Sequence, residues 1–91
     1  MRFEWDVRKG KYNLRKHAVS FDEASTLFED PLYIIFADPD HSETENRFII
    51  IGESTKHRLL VVSFGERSDA VRLISAREAT RSEREFYEKD N

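Results

Sequence analysis

Two apolar runs separated by only four residues constrain this chain more than any other part of its sequence. Residues 47–53 (RFIIIGE) and 58–64 (RLLVVSF) are rich in β-branched, aromatic and large aliphatic residues, so each is a predicted strand. The connection at residues 54–57 is too short for a crossover, and the two strands must therefore pair antiparallel. This hairpin is the predicted centre of a sheet.

Two further strands are predicted beside the hairpin. Residues 32–36 form a short apolar run before it, and residues 70–75 follow it after a brief turn. Consecutive strands that follow one another in this way form an antiparallel arrangement. The sequence thus predicts a four-stranded antiparallel β-meander.

Two helices are predicted before the sheet. Asp6 is the predicted N-cap of a helix that ends near His17. Ser20 and Glu23 have the spacing of a capping box, which begins a second helix, and Pro31 stops that helix because the residue before proline leaves the helical region.

A third helix is predicted after the sheet. Thr80 and Glu83 form a second capping-box pattern, while Ser75 and Glu78 offer a competing start. The predicted fold class is therefore α+β, with two N-terminal helices, the four-stranded antiparallel meander and a C-terminal helix.

The composition predicts one domain, residues 1–91, and excludes several classes of protein. The chain has no cysteine, which excludes disulfides, thiolate zinc sites and cysteine nucleophiles. It has no apolar run of about 18 residues and no signal-peptide pattern at its start. We therefore predict a small cytoplasmic domain without a membrane contact.

The net charge of −3 argues against a generic nucleic-acid-binding protein, whose domain is normally basic. Residues 37–57 contain five acidic side chains and only two basic ones, which locates the excess acid in one segment. A basic surface elsewhere on the molecule remains compatible with this distribution.

The acidic segment also contains the only grouping that suggests a metal site. Its candidate ligands are Asp38, Asp40, His41, Glu43 and Glu45. The segment lacks the mid-loop glycine of an EF-hand and contains a proline. We predict an acidic loop with no bound metal, and no cofactor for the chain.

Arginines recur at intervals through the C-terminal third of the chain, at positions 67, 72, 77 and 81. A guanidinium binds a phosphate through two parallel hydrogen bonds, which a lysine cannot reproduce. Arginines beside a sheet are unsuited to a core and indicate an anion-binding surface. RNA is the predicted ligand of that surface.

The order of short motifs along the chain resembles the BrnT family, the toxin components of type II toxin–antitoxin systems. The motifs are FEWD (3–6), NLRKH (13–17), VSFDEA (19–24), DPDH (38–41), RFIIIG (47–52), RLLVV (58–62), ER (66–67), and RLISAR followed by AT and ER (72–84). The chain departs from the family pattern at Ala18 and His57, where the family has glycine. Both are predicted turn positions.

This resemblance implies a RelE-like α+β fold and an endoribonuclease that inhibits growth by cleaving RNA. It also implies a cognate, BrnA-like antitoxin with a ribbon-helix-helix DNA-binding domain. Operator DNA would then be bound only through the antitoxin.

Cleavage of RNA without a metal needs a base for the 2′-hydroxyl proton, an acid for the leaving 5′ oxygen, and cations that stabilise the phosphorane. The predicted catalytic residues are His17, Glu66, Arg67, Arg72 and Arg77. The predicted RNA-binding residues are Arg47, Arg58, Arg81, Lys9 and Lys16.

Structural alternatives remain open for two of these residues. His17 can instead be a helix C-cap placed favourably against the helix dipole. Arg77 can instead pair with Glu66, Glu78 or Glu83 and pin the last helix. The alternative function is a non-catalytic module that binds a protein or a nucleic acid.

Overall fold

The computed structural model describes residues 1–38 and 46–90. The strands are β1 (Arg2–Glu4), β2 (Ile34–Ala37), β3 (Asn46–Glu53), β4 (Leu59–Arg67) and β5 (Ala70–Glu78). The helices are α1 (Val7–His17), α2 (Phe21–Thr26) and α3 (Arg81–Asp90), and a 3₁₀ turn (Leu27–Glu29) extends α2. None of these described helices is long and apolar enough to cross a lipid bilayer.

The five strands form one mixed sheet in the order β1-β5-β4-β3-β2. The α+β class with three helices is confirmed, but the prediction of a four-stranded, purely antiparallel sheet is wrong. Strands β2 to β5 pair antiparallel, and β1 adds a fifth strand that runs parallel to β5. A strand of three residues with one apolar side chain, Phe3, is too short to show a pattern, and its partner lies at the other end of the chain.

The C-terminal end of β5 determines where the last helix begins. Strand β5 continues through Glu78, so the competing helix start at Ser75 is wrong. Helix α3 follows Thr80 with the predicted capping box. The Thr80 N–H donates to Glu83 Oε1 at 2.8 Å, and the Glu83 N–H donates to Thr80 Oγ1 at 3.2 Å.

Helices α1 and α2 cover one face of the sheet, which we call the helix face. Alternate residues of each strand point toward these helices, because side chains on a strand alternate between its two faces. The largest fully buried side chains of this core are Phe21, Leu27, Ile50, Leu60, Leu73, Val19 and Val62.

A buried asparagine joins α1 to the sheet. The Asn13 Nδ2 group donates to the carbonyl oxygens of Val19 at 2.9 Å and Ala76 at 2.8 Å. Its Oδ1 accepts the Ala76 N–H at 3.0 Å. The amide is therefore fully satisfied inside an apolar core, and it fixes the position of α1 against β5.

A buried ion pair holds the ends of four elements together. The Glu23 carboxylate, 1% exposed, accepts from both Nε and Nη2 of Arg58 and from Ser54 Oγ, the last at 2.7 Å. Arg58 also donates to the Ala18 carbonyl at 2.9 Å and to Glu78 Oε1 at 3.3 Å. The Arg58 guanidinium keeps the pKa of Glu23 below its ordinary value despite burial.

The second half of the predicted capping box at Ser20 is therefore not formed. Ser20 Oγ accepts the Glu23 N–H at 3.0 Å, as an N-cap should. The Glu23 carboxylate, however, makes the ion pair with Arg58 and not the reciprocal cap.

Helix α3 packs on the opposite face of the sheet, over one end of it. Ile51, Leu59 and Val61 form a small buried cluster there, and Tyr87 covers it. The Tyr87 hydroxyl donates to Asp30 Oδ2 at 2.6 Å, and burial together with this hydrogen bond raises the pKa of Tyr87. The helix is thus fixed to the sheet by apolar and polar contacts.

Ala18 and His57, the two departures from the family pattern, both have a left-handed backbone. Ala18 follows α1 with φ 59°, and His57 lies in the turn between β3 and β4 with φ 63°. A side chain with a Cβ atom is strained in this region, whereas glycine is not. Both turns therefore keep the geometry that suits glycine although neither residue is one.

We predict that loss of the Glu23 charge destabilises the fold. Glu23→Gln keeps the shape of the side chain but removes the buried counter-charge of Arg58, which then has only the more exposed Glu78 carboxylate at 3.3 Å. Because Arg58 is partly hydrated, we expect a loss of roughly 2–3 kcal/mol in the free energy of unfolding, below the cost of a fully buried pair. Urea unfolding measures this change, and Asp22→Asn on the exposed side of α2 is the control. A loss equal to that of the control contradicts the prediction.

We further predict that glycine relieves the strain at the two turns. Ala18→Gly and His57→Gly should each raise the free energy of unfolding by about 0.5–1 kcal/mol, measured by urea unfolding. Ala37→Gly is the matched control, because a glycine in a strand with ordinary φ should destabilise. A destabilised Ala18→Gly variant would show that Ala18 is not strained.

Candidate functional site

Polar side chains dominate the part of the sheet that extends beyond α3, which we call the arginine face. Strand pairing sets Glu4, Arg72, Gly65 and Arg47 opposite one another across β1, β5, β4 and β3. Residues paired in this way project from the same face. Two arginines therefore flank a glycine, and their Cα atoms are about 10 Å apart because neighbouring strands are about 4.8 Å apart.

Glu4 lies among three arginines at the β1 edge. Its Oε2 is 3.6 Å from Arg72 Nη1 and 4.0 Å from Arg67 Nη1, and its Oε1 is 4.0 Å from Arg2 Nη2. Arg2 also forms a 3.0 Å ion pair with Asp69. Glu4 and Arg72 are about one-third exposed and Arg67 about half exposed. The cluster is thus accessible and carries more positive than negative charge.

A pair of serines continues the polar surface toward α3. Ser63 and Ser75 stand opposite each other on β4 and β5, next to an irregularity in the pairing of the two strands. Their hydroxyls can donate to an anion and also accept from a ribose. They separate the arginines from the apolar residues under α3.

Arg77 is on the same face of the sheet but is engaged by α3. Its Nη1 and Nη2 donate to the two carboxylate oxygens of Glu83 at 2.7 and 2.8 Å. The bidentate bond from Arg77 lowers the pKa of Glu83 to about 2. The alternative that Arg77 pins the last helix is confirmed, and a phosphate contact by Arg77 stays a prediction.

His17 and Glu66 lie on the other side of the sheet from the arginine face. His17 is the last residue of α1, which packs on the helix face. Glu66 stands opposite Val71, whose side chain belongs to the helix-face core. These two residues therefore lie on the face opposite to that of Arg67 and Arg72, and a catalytic role for either stays a prediction.

The remaining predicted RNA-binding residues are dispersed. Arg58 donates to Glu23, Glu78 and the Ala18 carbonyl, so most of its donors are used within the fold. Lys9 and Lys16 are exposed on α1. Arg81 is exposed at the start of α3, 3.4 Å from Glu85. Of this group, Arg47 alone lies in the row of the arginine face.

Four polar residues of the arginine face were not predicted as site residues from sequence: Arg2, Glu4, Ser63 and Ser75. Arg2, Phe3 and Glu4 do alternate polar and apolar, which is the signal of a half-buried strand, but over three residues it is too short to read. Ser63 and Ser75 become neighbours only through strand pairing.

The predicted metal-free loop lies mostly outside the described residues, which include only Asp38 of its five candidate ligands. Within residues 1–38 and 46–90, no three histidine, aspartate or glutamate side chains are grouped as metal ligands.

Comparison with known proteins identifies one family. A family model described as the ribonuclease toxin BrnT of type II toxin–antitoxin systems matches residues 5–83. The structure is similar to the 1.1 Å crystal structure of the Brucella abortus ribonuclease toxin BrnT, with a TM-score of 0.68 and 24% sequence identity over 89% of this chain and 99% of that chain. No curated protein sequence matches the chain. At this identity, the structural match shows a shared fold.

We predict a pH-dependent contribution from the Arg77–Glu83 pair. Because the pKa of Glu83 is lowered from 4.5 to about 2, its stabilisation is fully present above pH 4.5 and is lost as the pH falls toward 2. At pH 7, Glu83→Gln should be less stable by about 1 kcal/mol, since the pair is partly exposed. The difference should shrink between pH 4.5 and 2 in thermal unfolding experiments.

Glu85→Gln is the matched control for this measurement. It removes a carboxylate from the exposed Arg81 pair of the same helix. A Glu83→Gln difference that stays constant from pH 7 to pH 2 would contradict an ionic contribution from Glu83.

Proposed function

This chain belongs to the BrnT family of ribonuclease toxins of type II toxin–antitoxin systems, and from that premise we propose that it cleaves RNA on the arginine face. The observation that carries the proposal is the row in which Arg47 and Arg72 flank Gly65. Two guanidiniums that project from the same face, on either side of a residue without a side chain, can both contact one phosphate.

The chemistry of RNA cleavage fits this surface. Attack of the 2′-hydroxyl on the neighbouring phosphorus places extra negative charge on the phosphate oxygens. Guanidiniums held by a sheet stabilise that charge without having to reorganise. We assign this role to Arg72 and Arg47, with Arg67 at the rim.

We assign the reaction on the arginine face to fewer residues than the sequence predicted. His17 and Glu66 lie on the helix face, so we include neither in the proposed reaction, and a catalytic role for them stays a prediction. Arg77 is held by Glu83, and we assign it to the anchoring of α3. Lys9 and Lys16 are on α1, and contact of these lysines with a longer RNA stays a prediction.

We also propose that cleavage inhibits growth and that a cognate antitoxin blocks it. The chain's membership of a toxin–antitoxin family implies such a partner. A partner that covers the arginine face should present acidic side chains there, because unpaired guanidiniums are costly to bury. A BrnA-like protein with a ribbon-helix-helix domain, through which operator DNA is bound, is the proposed antitoxin.

Loss of Arg72 tests the proposal. Total RNA incubated with the protein in EDTA should be cut to fragments with 2′,3′-cyclic or 3′-phosphate ends. Arg72→Ala should cleave roughly 100-fold more slowly, as the loss of one preorganised donor typically does. Arg72→Lys should restore only part of the rate, because an ammonium cannot replace the guanidinium fork.

Arg15→Ala is the control, since Arg15 is an exposed arginine of α1 on the helix face. It should cleave like the wild type. Melting temperatures of all variants correct each rate for the folded fraction. Binding of RNA without cleavage by the folded wild type would instead favour a non-catalytic module, and a requirement for magnesium would contradict the metal-independent mechanism.

A further inference from the structure

We infer that Glu4 is the proton acceptor of the arginine face, the group that removes the 2′-hydroxyl proton of the RNA. This inference rests on the proposed ribonuclease activity and adds the base that the activity requires. Glu4 lies within the FEWD motif, from which no functional role was predicted. Its assignment comes from where the fold places its carboxylate.

The sheet fixes the direction of the Glu4 side chain. Phe3 points into the helix-face core, where its ring contacts Phe28 with centroids 5.0 Å apart. Neighbouring residues on a strand project from opposite faces, so Glu4 must point to the arginine face. Pairing of Glu4 with Arg72 places it directly beside the proposed phosphate site.

Other carboxylates on this face are unsuited to the role. Glu83 is neutralised by the bidentate bond from Arg77. Glu53 stands opposite Leu59, at the far end of β3 beyond the apolar cluster under α3. Among the residues that the structure describes, Glu4 is therefore the carboxylate in contact with Arg67 and Arg72, whereas Asp69 pairs with Arg2.

The distances from the Glu4 carboxylate to the arginines suit a base that is oriented by its neighbours without hydrogen bonds to them. The shortest Glu4 contact to an arginine is 3.6 Å, and the others are 4.0 Å. These lengths lie beyond a normal hydrogen bond. The carboxylate thus keeps its lone pairs available for a hydroxyl, whereas Glu23 and Glu83 use theirs in short bonds.

In the proposed step, the RNA is cleaved by attack of its own 2′-hydroxyl on the neighbouring phosphate. A phosphate of the RNA binds between Arg72 and Arg47. The Glu4 carboxylate takes the 2′-hydroxyl proton while the O2′–P bond forms and the P–O5′ bond breaks. A water molecule protonates the leaving 5′ oxygen, and the hydroxide that remains takes the proton from Glu4, which regenerates the carboxylate. The product carries a 2′,3′-cyclic phosphate.

Glu4→Gln separates proton transfer from binding. The amide keeps the size of the side chain but cannot act as a base. We expect cleavage of a labelled single-stranded RNA oligonucleotide to fall by roughly 100-fold or more. We expect the variant to bind the 2′-deoxy form of the oligonucleotide, which cannot be cleaved, as well as the wild type or several-fold more tightly, because a negative charge has been removed.

The pH dependence supplies a readout that a structural role would not alter. The cleavage rate of the wild type should rise with pH as a carboxyl group ionises, and this limb should be absent from Glu4→Gln. The charged groups that face Glu4 are Arg2, Arg67 and Arg72, with Asp69 bound to Arg2. Asp69 is tested separately.

Two further variants serve as a charge control and as a test of partial recovery. Asp69→Asn removes the same charge from the β1 edge and should retain both cleavage and its pH profile. Glu4→Asp keeps the carboxylate on a shorter side chain and should recover part of the rate, even if Glu4→Gln folds poorly. Rates are expressed per folded molecule, from the melting curve of each variant.

The possible results distinguish an error in the assignment of Glu4 from an error in the proposed ribonuclease function. Wild-type cleavage with an equally active Glu4→Gln variant would overturn the assignment of Glu4 and leave the ribonuclease function standing. Equal loss of cleavage and of 2′-deoxy oligonucleotide binding would also overturn it, since that shows a role in binding. A folded wild type that cleaves no RNA would overturn the proposed function, and the role of Glu4 with it.

Discussion

The ion pair between Glu23 and Arg58 is the interaction on which the arrangement of the helices depends. A glutamate that is 1% exposed is tolerated only when its charge is matched and its oxygens accept hydrogen bonds. Arg58 meets both conditions and at the same time binds the carbonyl of Ala18 and the carboxylate of Glu78. One guanidinium thus joins α1, α2, the start of β4 and the end of β5. The helix face is therefore occupied by core packing and by this ion pair, and the proposed RNA site is on the opposite face.

The same residue type has three different roles in this small domain. Arg58 compensates a buried carboxylate, and Arg77 anchors α3 through Glu83. Arg67 and Arg72 stay partly exposed, with contacts to Glu4 that are too long for hydrogen bonds. The role of each arginine follows from its nearest carboxylate and from how closely the two approach. The spacing of arginines along the chain shows neither which carboxylate is nearest nor how far away it is. The set of arginines predicted as functional therefore included residues with each of these three kinds of contact.

The parts of the fold that could be predicted are those with local signals. Helix starts depend on residues three apart, and the order of β2 to β5 follows from short connections and apolar runs. The contacts that the sequence could not show are distant ones. Glu23 and Arg58 are 35 positions apart, and β1 pairs with β5 across nearly the whole chain. The family resemblance supplied the expected class of function, but it could not tell that His17 and Arg72 lie on opposite faces of the sheet.

Ala18 and His57, two of the three described residues with a left-handed backbone, show how the ion pair and the backbone depend on each other. The carbonyl of Ala18 accepts directly from Arg58, and His57 immediately precedes Arg58 in the turn. The left-handed backbone at Ala18 positions the carbonyl that accepts from Arg58. The left-handed backbone at His57 positions the guanidinium of Arg58. A residue with a Cβ atom persists in this conformation only where its surroundings over-determine it. The network satisfies that condition, since Ser54 and Glu23 hold the turn from the other side. The Glu23–Arg58 network therefore stabilises the left-handed conformation at both turns.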